Sequence, residues 1–272
     1  MSGFLLRLQS IFYFFIYLVP LSGFSSGKIT FFQLNRFFVT EQKALQKVLA
    51  NEKRHAQKTV TIAKILPFMD DTALDSRSEF LPDVVLFSKE HWQANIEQLS
   101  IYAAAKGIPL LVSNMLDCKQ ALFPEKPRFF VYEINGVKIG LFSLLSPGNS
   151  TKIQGLQTAY RDPLLVEPIL AAKMVVEKMQ KKGCSYIVLV SDLSIEQDLA
   201  LVQSVADIDL IIGSHSLEPA IFYEKDTLIY KSSSLDSSLD RVDIVIEDQR
   251  LLGMDYHVFH PHFRRIAVPM KN

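Results

Sequence analysis

The strongest constraint in this chain is a set of short, almost unbroken apolar runs separated by amphipathic stretches. Asp83–Phe87 reads DVVLF, Ile108–Asn114 reads IPLLVSN, Tyr186–Ser191 reads YIVLVS and Ile208–Gly213 reads IDLIIG. A strand with one wet face alternates apolar and polar residues, whereas runs of this kind are covered on both faces, as in a parallel sheet flanked by helices. Lys28–Leu34 and Thr59–Leu66 are further strand candidates, the second closed by Pro67. Helical spacing falls between them. Glu41–Lys58 places Ala44, Leu45, Val48 and Leu49 on one face, and Trp92–Lys106 does the same with Ile96, Leu99 and Tyr102. Gly107 stops that second helix, and Gly183 stops a long one predicted over Pro163–Lys182. Glu196–Val205 is a shorter helix, and the acidic, polar stretch Met69–Phe80 is a loop.

A hairpin is predicted where Phe129–Ile134 and Val137–Leu145 flank Asn135–Gly136, the dipeptide that a type I′ turn favours. The tail adds strands at Thr227–Lys231, Asp240–Ile246 and Tyr256–Val258. No Pro/Gly/Ser-rich linker divides Lys28–Asn272, so residues 27–272 are expected to form a single α/β domain. The chain's 29 basic residues balance 29 acidic ones. That neutrality argues against a nucleic-acid partner, which requires a basic face to neutralise phosphates. Oligomeric state is not readable from the sequence.

Residues 1–26 read as a leader. They hold no acidic residue and one base, Arg7; the apolar run Ile11–Leu21 follows, then the small residues Ser22, Gly23, Ser25 and Ser26. This is the layout of a secretory signal, with Gly23 and Ser25 suited to the −3 and −1 positions. The run is shorter than the roughly 20 residues a membrane span needs, and Pro20 interrupts it. Export to the periplasm or the cell exterior is the reading, with an N-terminal membrane anchor as the alternative. No other stretch approaches a membrane span. Export permits a disulfide, yet Cys118 and Cys184 lie by different strands toward opposite sheet edges, and free thiols are expected.

Six segments, taken in order, resemble a known family. They are Asp83–Phe87, Ile108–Asn114, Asn135–Leu141, Lys182–Asp192, Asp207–Ser216 and Lys231–Asp243. Together they are similar to the N-terminal metallophosphoesterase domain of the secreted 5′-nucleotidases, within the calcineurin-like superfamily. The resemblance covers the mature chain and implies a sandwich of two mixed β-sheets flanked by helices. It also implies phosphate-ester hydrolysis by a hydroxide held between two divalent metals. The nucleotide-binding domain that usually follows is expected to be lacking.

The residues that should hold those metals are mostly replaced. Where the family has Asp-x-His after its first strand, this chain has Asn35 and Phe37. The Gly-Asp whose carboxylate bridges the metals reads Ile65–Leu66, and Gly-Asn-His-Glu reads Ser88, Lys89, Glu90, His91. The histidine that ends the IVLV strand has become Asp192. In Gly-His-x-His the first histidine survives as His215 and the second is Leu217. Asn114 also matches, in a role more structural than ligating. A cationic Lys89 would further oppose metal binding by Coulomb repulsion. Eleven glycines in 272 residues is about 4%, below the roughly 7% that is typical, as expected if glycine-led metal loops are lost.

Asp192, His215 and Asn114 are therefore vestigial metal candidates, and Glu90 with His91 a weak acid/base pair against a solvated helix start. Asp70, Asp71 and Asp75, and the tail histidines His257, His260 and His262, are read as surface before they are read as metal sites. Neither a G-x-S-x-G nucleophile elbow nor a phosphate-binding P-loop occurs. The expectation is an exported, catalytically inactive relative of the metallophosphoesterases that binds or scaffolds and carries no cofactor. The alternative is a divergent hydrolase with a rebuilt site that is metal-free or holds one Mn, Zn or Fe ion. Met1–Gly27 fused to a reporter active only outside the cytoplasm should give signal, and N-terminal sequencing of the processed protein should start near Ser26 or Gly27. A soluble cytoplasmic protein that keeps Met1 contradicts the leader.

Overall fold

Buried strands need both faces covered, and the computed structural model shows how this chain covers them. It describes residues 27–34, 39–63, 83–86, 104, 107–116, 128–146, 164–216, 220–233, 239–247, 250–259 and 266–267. The first half brings β1 (Gly27–Leu34), α1 (Val39–Arg54), β2 (Lys58–Ala63), β3 (Val84–Leu86), β4 (Leu110–Leu111) and β5 (Met115–Leu116). Then come β6 (Phe130–Ile134), β7 (Val137–Leu144), β8 (Leu164–Leu165), α2 (Pro168–Lys181), β9 (Cys184–Ser191), α3 (Ile195–Ser204) and β10 (Leu210–Ser216). The chain continues through β11 (Ala220–Glu224), β12 (Thr227–Ser233), β13 (Leu239–Glu247), β14 (Arg250–Phe259) and β15 (Ile266–Ala267).

The described strands form a seven-stranded sheet in the order β15-β14-β13-β1-β2-β3-β4, a six-stranded sheet in the order β11-β12-β10-β9-β7-β6 and a small β5-β8 pair; the two large sheets make up the body of the fold. Both are mixed. β1 to β4 run parallel while β13 to β15 alternate, and β7, β9, β10 and β12 run parallel between antiparallel edges. The sheets stack face to face. Ile29, Phe31, Val60 and Ile62 of the first meet Ile139, Leu141, Val188 and Leu210 of the second. The alternate residues of the second sheet, such as Phe142, Leu189 and Ile211, pack under Val175, Met179 and Leu201 of α2 and α3. Period-two alternation thus feeds two apolar layers at once, which is why these strands read as continuous apolar runs. No helix among the described residues is long and apolar enough to cross a membrane.

Several boundaries differ from the sequence reading. α1 stops at Arg54 rather than Lys58, because Lys58 already pairs with Ile29 in the sheet. The long helix begins at Pro168, not Pro163: Glu167 caps it by accepting from Ile169 N and Leu170 N, and Leu164–Leu165 pairs instead with Met115–Leu116. The residue before a proline is pushed to extended backbone, so the second proline sets the start. Only Leu110–Leu111 of the predicted Ile108–Asn114 strand pairs in the sheet, since Ser113 and Asn114 turn toward β7. β10 runs past Gly213 to Ser216, the tail strand at Tyr256–Val258 extends over Arg250–Phe259, and β11 has no counterpart among the predicted elements. β11 turns into β12 through Lys225–Asp226, with Lys225 at φ 50°, a pair without the Asn-Gly signature. That signature does hold at Asn135 and Gly136, where φ is 49° and 78°. The loop expected over Met69–Phe80 and most of the Trp92–Lys106 helix lie outside the described residues.

One device appears once in each sheet. Asp83 N–H donates to Thr61 O at 2.9 Å while its carboxylate accepts from Thr61 N at 2.7 Å. Asp209 does the same with Ile187, at 2.9 Å and 2.7 Å. Each Asp stands just before a strand and fixes its register against the parallel neighbour. Burial, helped by repulsion from Asp207 and opposed by the Ile187 hydrogen bond, pushes the Asp209 carboxyl up to about 6. A carboxyl raised above its ordinary 3.8 favours the fold while protonated, and that contribution disappears as pH rises through about 6. Asp209→Asn keeps an oxygen acceptor and removes the charge. In urea unfolding near pH 8 the variant should exceed the wild type by roughly 2–3 kcal/mol, a gap that closes by about pH 4. A gap independent of pH contradicts the assignment.

Candidate functional site

The parallel strands of both sheets end at a common edge. Ser113, after β4, donates its N–H to Ser143 O of β7 at 3.0 Å, and Ser143 N–H returns to Ser113 Oγ at 3.0 Å. Gln33 Nε2 of β1 donates to Ser232 Oγ of β12 at 3.4 Å, and that hydroxyl donates to Gly213 O of β10 at 3.3 Å. Polar side chains collect here because strand ends are where the two apolar layers stop and backbone groups need partners.

Every position at which the family places metal ligands falls within five residues after a strand that ends at this edge, or among that strand's last residues. Two of them have described side chains. Asn114 is fully buried. Its Nδ2 donates to Leu145 O at 2.8 Å and Val166 O at 3.2 Å, and its Oδ1 accepts from Leu145 N at 2.9 Å. The carboxamide ties the end of β4 to the end of β7 and to the entry of α2. Asp192 is buried directly after β9, with its N–H on Leu144 O at 2.9 Å. His215 is the penultimate residue of β10 and is placed by its backbone. Asn35, Phe37, Leu66, Lys89, Glu90, His91 and Leu217 lie outside the described residues, as do Asp70, Asp71, Asp75, His260, His262 and Cys118; His257 is placed in β14 by its backbone. Cys184 is free at the start of β9, and burial pushes its thiol up.

A second group of residues at this edge escaped the sequence reading. Lys231 of β12 and Asp198 of α3 are both completely buried and form an ion pair. Lys231 Nζ also donates to Leu193 O at 2.9 Å, and Ser191 Oγ donates to Asp198 Oδ1 at 2.6 Å while accepting from Leu193 N at 3.0 Å. Burial pushes the Asp198 carboxyl up, against the pull of Lys231 and Ser191, and Asp192 adds repulsion. The pair has a readable origin. Lys231 follows Ile229 by two on the helix-facing side of its strand, and Asp198 precedes Leu201 and Val202 by three and four on the buried stripe of α3. Opposite charges at two inward positions on facing elements were the available signal. Gly213 pairs with Lys231 in register, and a Cβ there would stand 2.5 Å from Nζ and 2.7 Å from Cδ.

Of these described side chains, the amide of Asn114 is committed to backbone, and the Asp192 carboxylate stands near enough to Asp198 to repel it. No family model and no curated protein matches the chain. Solved structures do. NAD nucleotidase from Haemophilus influenzae aligns at TM-score 0.66 and 12% identity over 90% of this chain and 54% of its own. A 5′-nucleotidase precursor from Thermus thermophilus aligns at 0.63 and 12% over 87% and 54%. A calcineurin-like phosphoesterase from Bacillus subtilis aligns at 0.64 and 13% over 88% and 92%. The fold is that of the calcineurin-like phosphoesterases.

At such identities the likeness speaks for the phosphoesterase fold, and the chain spans about half the length of the two nucleotidases. Within that fold, Gly213 leaves no room for a side chain beside Lys231. Gly213→Ala should lower the unfolding free energy by roughly 1–3 kcal/mol, because the lysine stem it meets is packed on all sides. Chemical denaturation checks this, and a variant as stable as the wild type would show that the stem can move.

Proposed function

We propose that this chain is an exported protein that uses the phosphoesterase fold to bind or to scaffold rather than to hydrolyse. The observation that carries the reading is the residue at the bridging position. Where the resembling family bridges its two cations with a carboxylate, Leu66 offers a hydrocarbon that ligates no cation. Asn35, Phe37 and Leu217 remove further donors. The commitment of Asn114 to three backbone contacts supports the same view. The leader over residues 1–26 supports export.

A second reading, a hydrolase with a rebuilt site, draws on the buried carboxylate of Asp192 next to the strand that carries His215. One experiment separates the two. Purified protein analysed by elemental mass spectrometry should hold no stoichiometric Mn, Zn or Fe, and it should leave p-nitrophenyl phosphate and 5′-nucleotides intact. Metal-dependent turnover that His215→Ala abolishes overturns the proposal in favour of the rebuilt site.

A further inference from the structure

We infer that the ammonium of Lys231 is a covalently tethered cation that balances the buried Asp198 carboxylate at the strand-end edge, a charge-balancing role that bound metal ions fill in a metal-bearing phosphoesterase. The inference deepens the reading above and rests on it for the absence of a catalytic metal pair.

The geometry is that of an oxygen-lined cation site filled from within. Lys231 has no exposed surface. Its Nζ meets the Leu193 carbonyl at 2.9 Å and the Asp198 carboxylate, whose other oxygen takes the Ser191 hydroxyl at 2.6 Å. Leu193 adjoins Asp192, so the carbonyl that receives the ammonium belongs to the turn that carries the second carboxylate. Asp192 and Asp198 repel one another, and Glu196 on the exposed start of α3 also feels the lysine. One buried positive charge is therefore paired with one buried carboxylate, which Asp192 in turn repels. The strand opposite has made room for it: the register partner of Lys231 is Gly213, where any side chain would collide with the lysine stem. A buried ion pair seldom stabilises more than an apolar pair of the same volume, but removing one partner strands a charge. A lysine kept at that cost is tied to the charges around it.

Full-length protein carrying Lys231→Ala, Lys231→Met or the double change Asp198→Asn/Lys231→Met tests this by thermal unfolding. Each is measured in NaCl, in methylammonium chloride at the same ionic strength, and with added MnCl₂. Lys231→Met should lower the midpoint by roughly 10 °C, and Asp198→Asn/Lys231→Met should recover most of that loss. Lys231→Ala should regain part of its midpoint in methylammonium and not in NaCl, because the small cation re-enters the vacated oxygen site. The wild-type midpoint should not move with Mn²⁺, an arm that needs no variant to fold. A stable Lys231→Met, a double variant no better than the single one, or a wild type that Mn²⁺ stabilises each overturns the inference. Phosphatase turnover by the wild type with these outcomes intact would defeat only the reading of the preceding subsection.

Discussion

The face-to-face burial of two parallel-rich sheets is the constraint from which the other features follow. Ile29, Phe31, Val60 and Ile62 press against Ile139, Leu141, Val188 and Leu210, and every one of these is essentially inaccessible to water. At about 25 cal/mol per Å² of apolar surface, such a layer dominates the favourable side of folding. It also dictates where polar groups can stand. With both faces of the second sheet covered, one by the first sheet and one by α2 and α3, its strand ends are the places left for side chains that need hydrogen bonds. The candidate site is therefore a consequence of the packing as much as of the chemistry.

Two clusters of buried charge among the described residues differ in geometry. On the outer face of the first sheet, Arg241 donates to both oxygens of Asp243 and to Glu52 of α1, while Lys28 and Thr30 reach Asp243 at 3.1 Å and 2.6 Å. Although burial pushes the Asp243 carboxyl up, these hydrogen bonds and the Arg241 charge hold it below its ordinary value. That network is partly open to solvent and pins the start of β1, two residues past the expected leader cleavage. The Lys231–Asp198 pair is wholly enclosed, and there burial prevails over the attraction and raises the carboxyl. In the first cluster Arg241 bridges two acids, Asp243 and Glu52, with further donors on Asp243. In the second a single ammonium and a hydroxyl share one acid.

Much of the architecture is legible in the sequence because period-two and period-3.6 patterns encode burial directly. The IVLV run of β9, the Asn135–Gly136 turn and the glycine stop at Gly183, where φ is 78°, all follow from local chemistry. The differences share a cause. Helical spacing continues past α1 to Lys58 and back from α2 to Pro163, and tertiary pairing with β1 and β5 overrides it in both places. β11 has no turn signature to announce it. At the site, Asn114 and Asp192 stand at the strand-end edge, where the order of strands in the sequence puts them. Lys231 and Asp198 are not legible in this way, since each looks like an ordinary surface charge until the strand and the helix are placed together.

The central claim is that this edge carries its own charge compensation and does not gather a metal pair. Anomalous diffraction at the manganese edge, from crystals of the full-length protein grown with MnCl₂, tests it most directly. The account predicts no anomalous peak between the strand ends of the two sheets and an ordered Lys231 side chain against Asp198 and Leu193 O. Two peaks a few ångströms apart, ligated from Asp192 or His215, would contradict it.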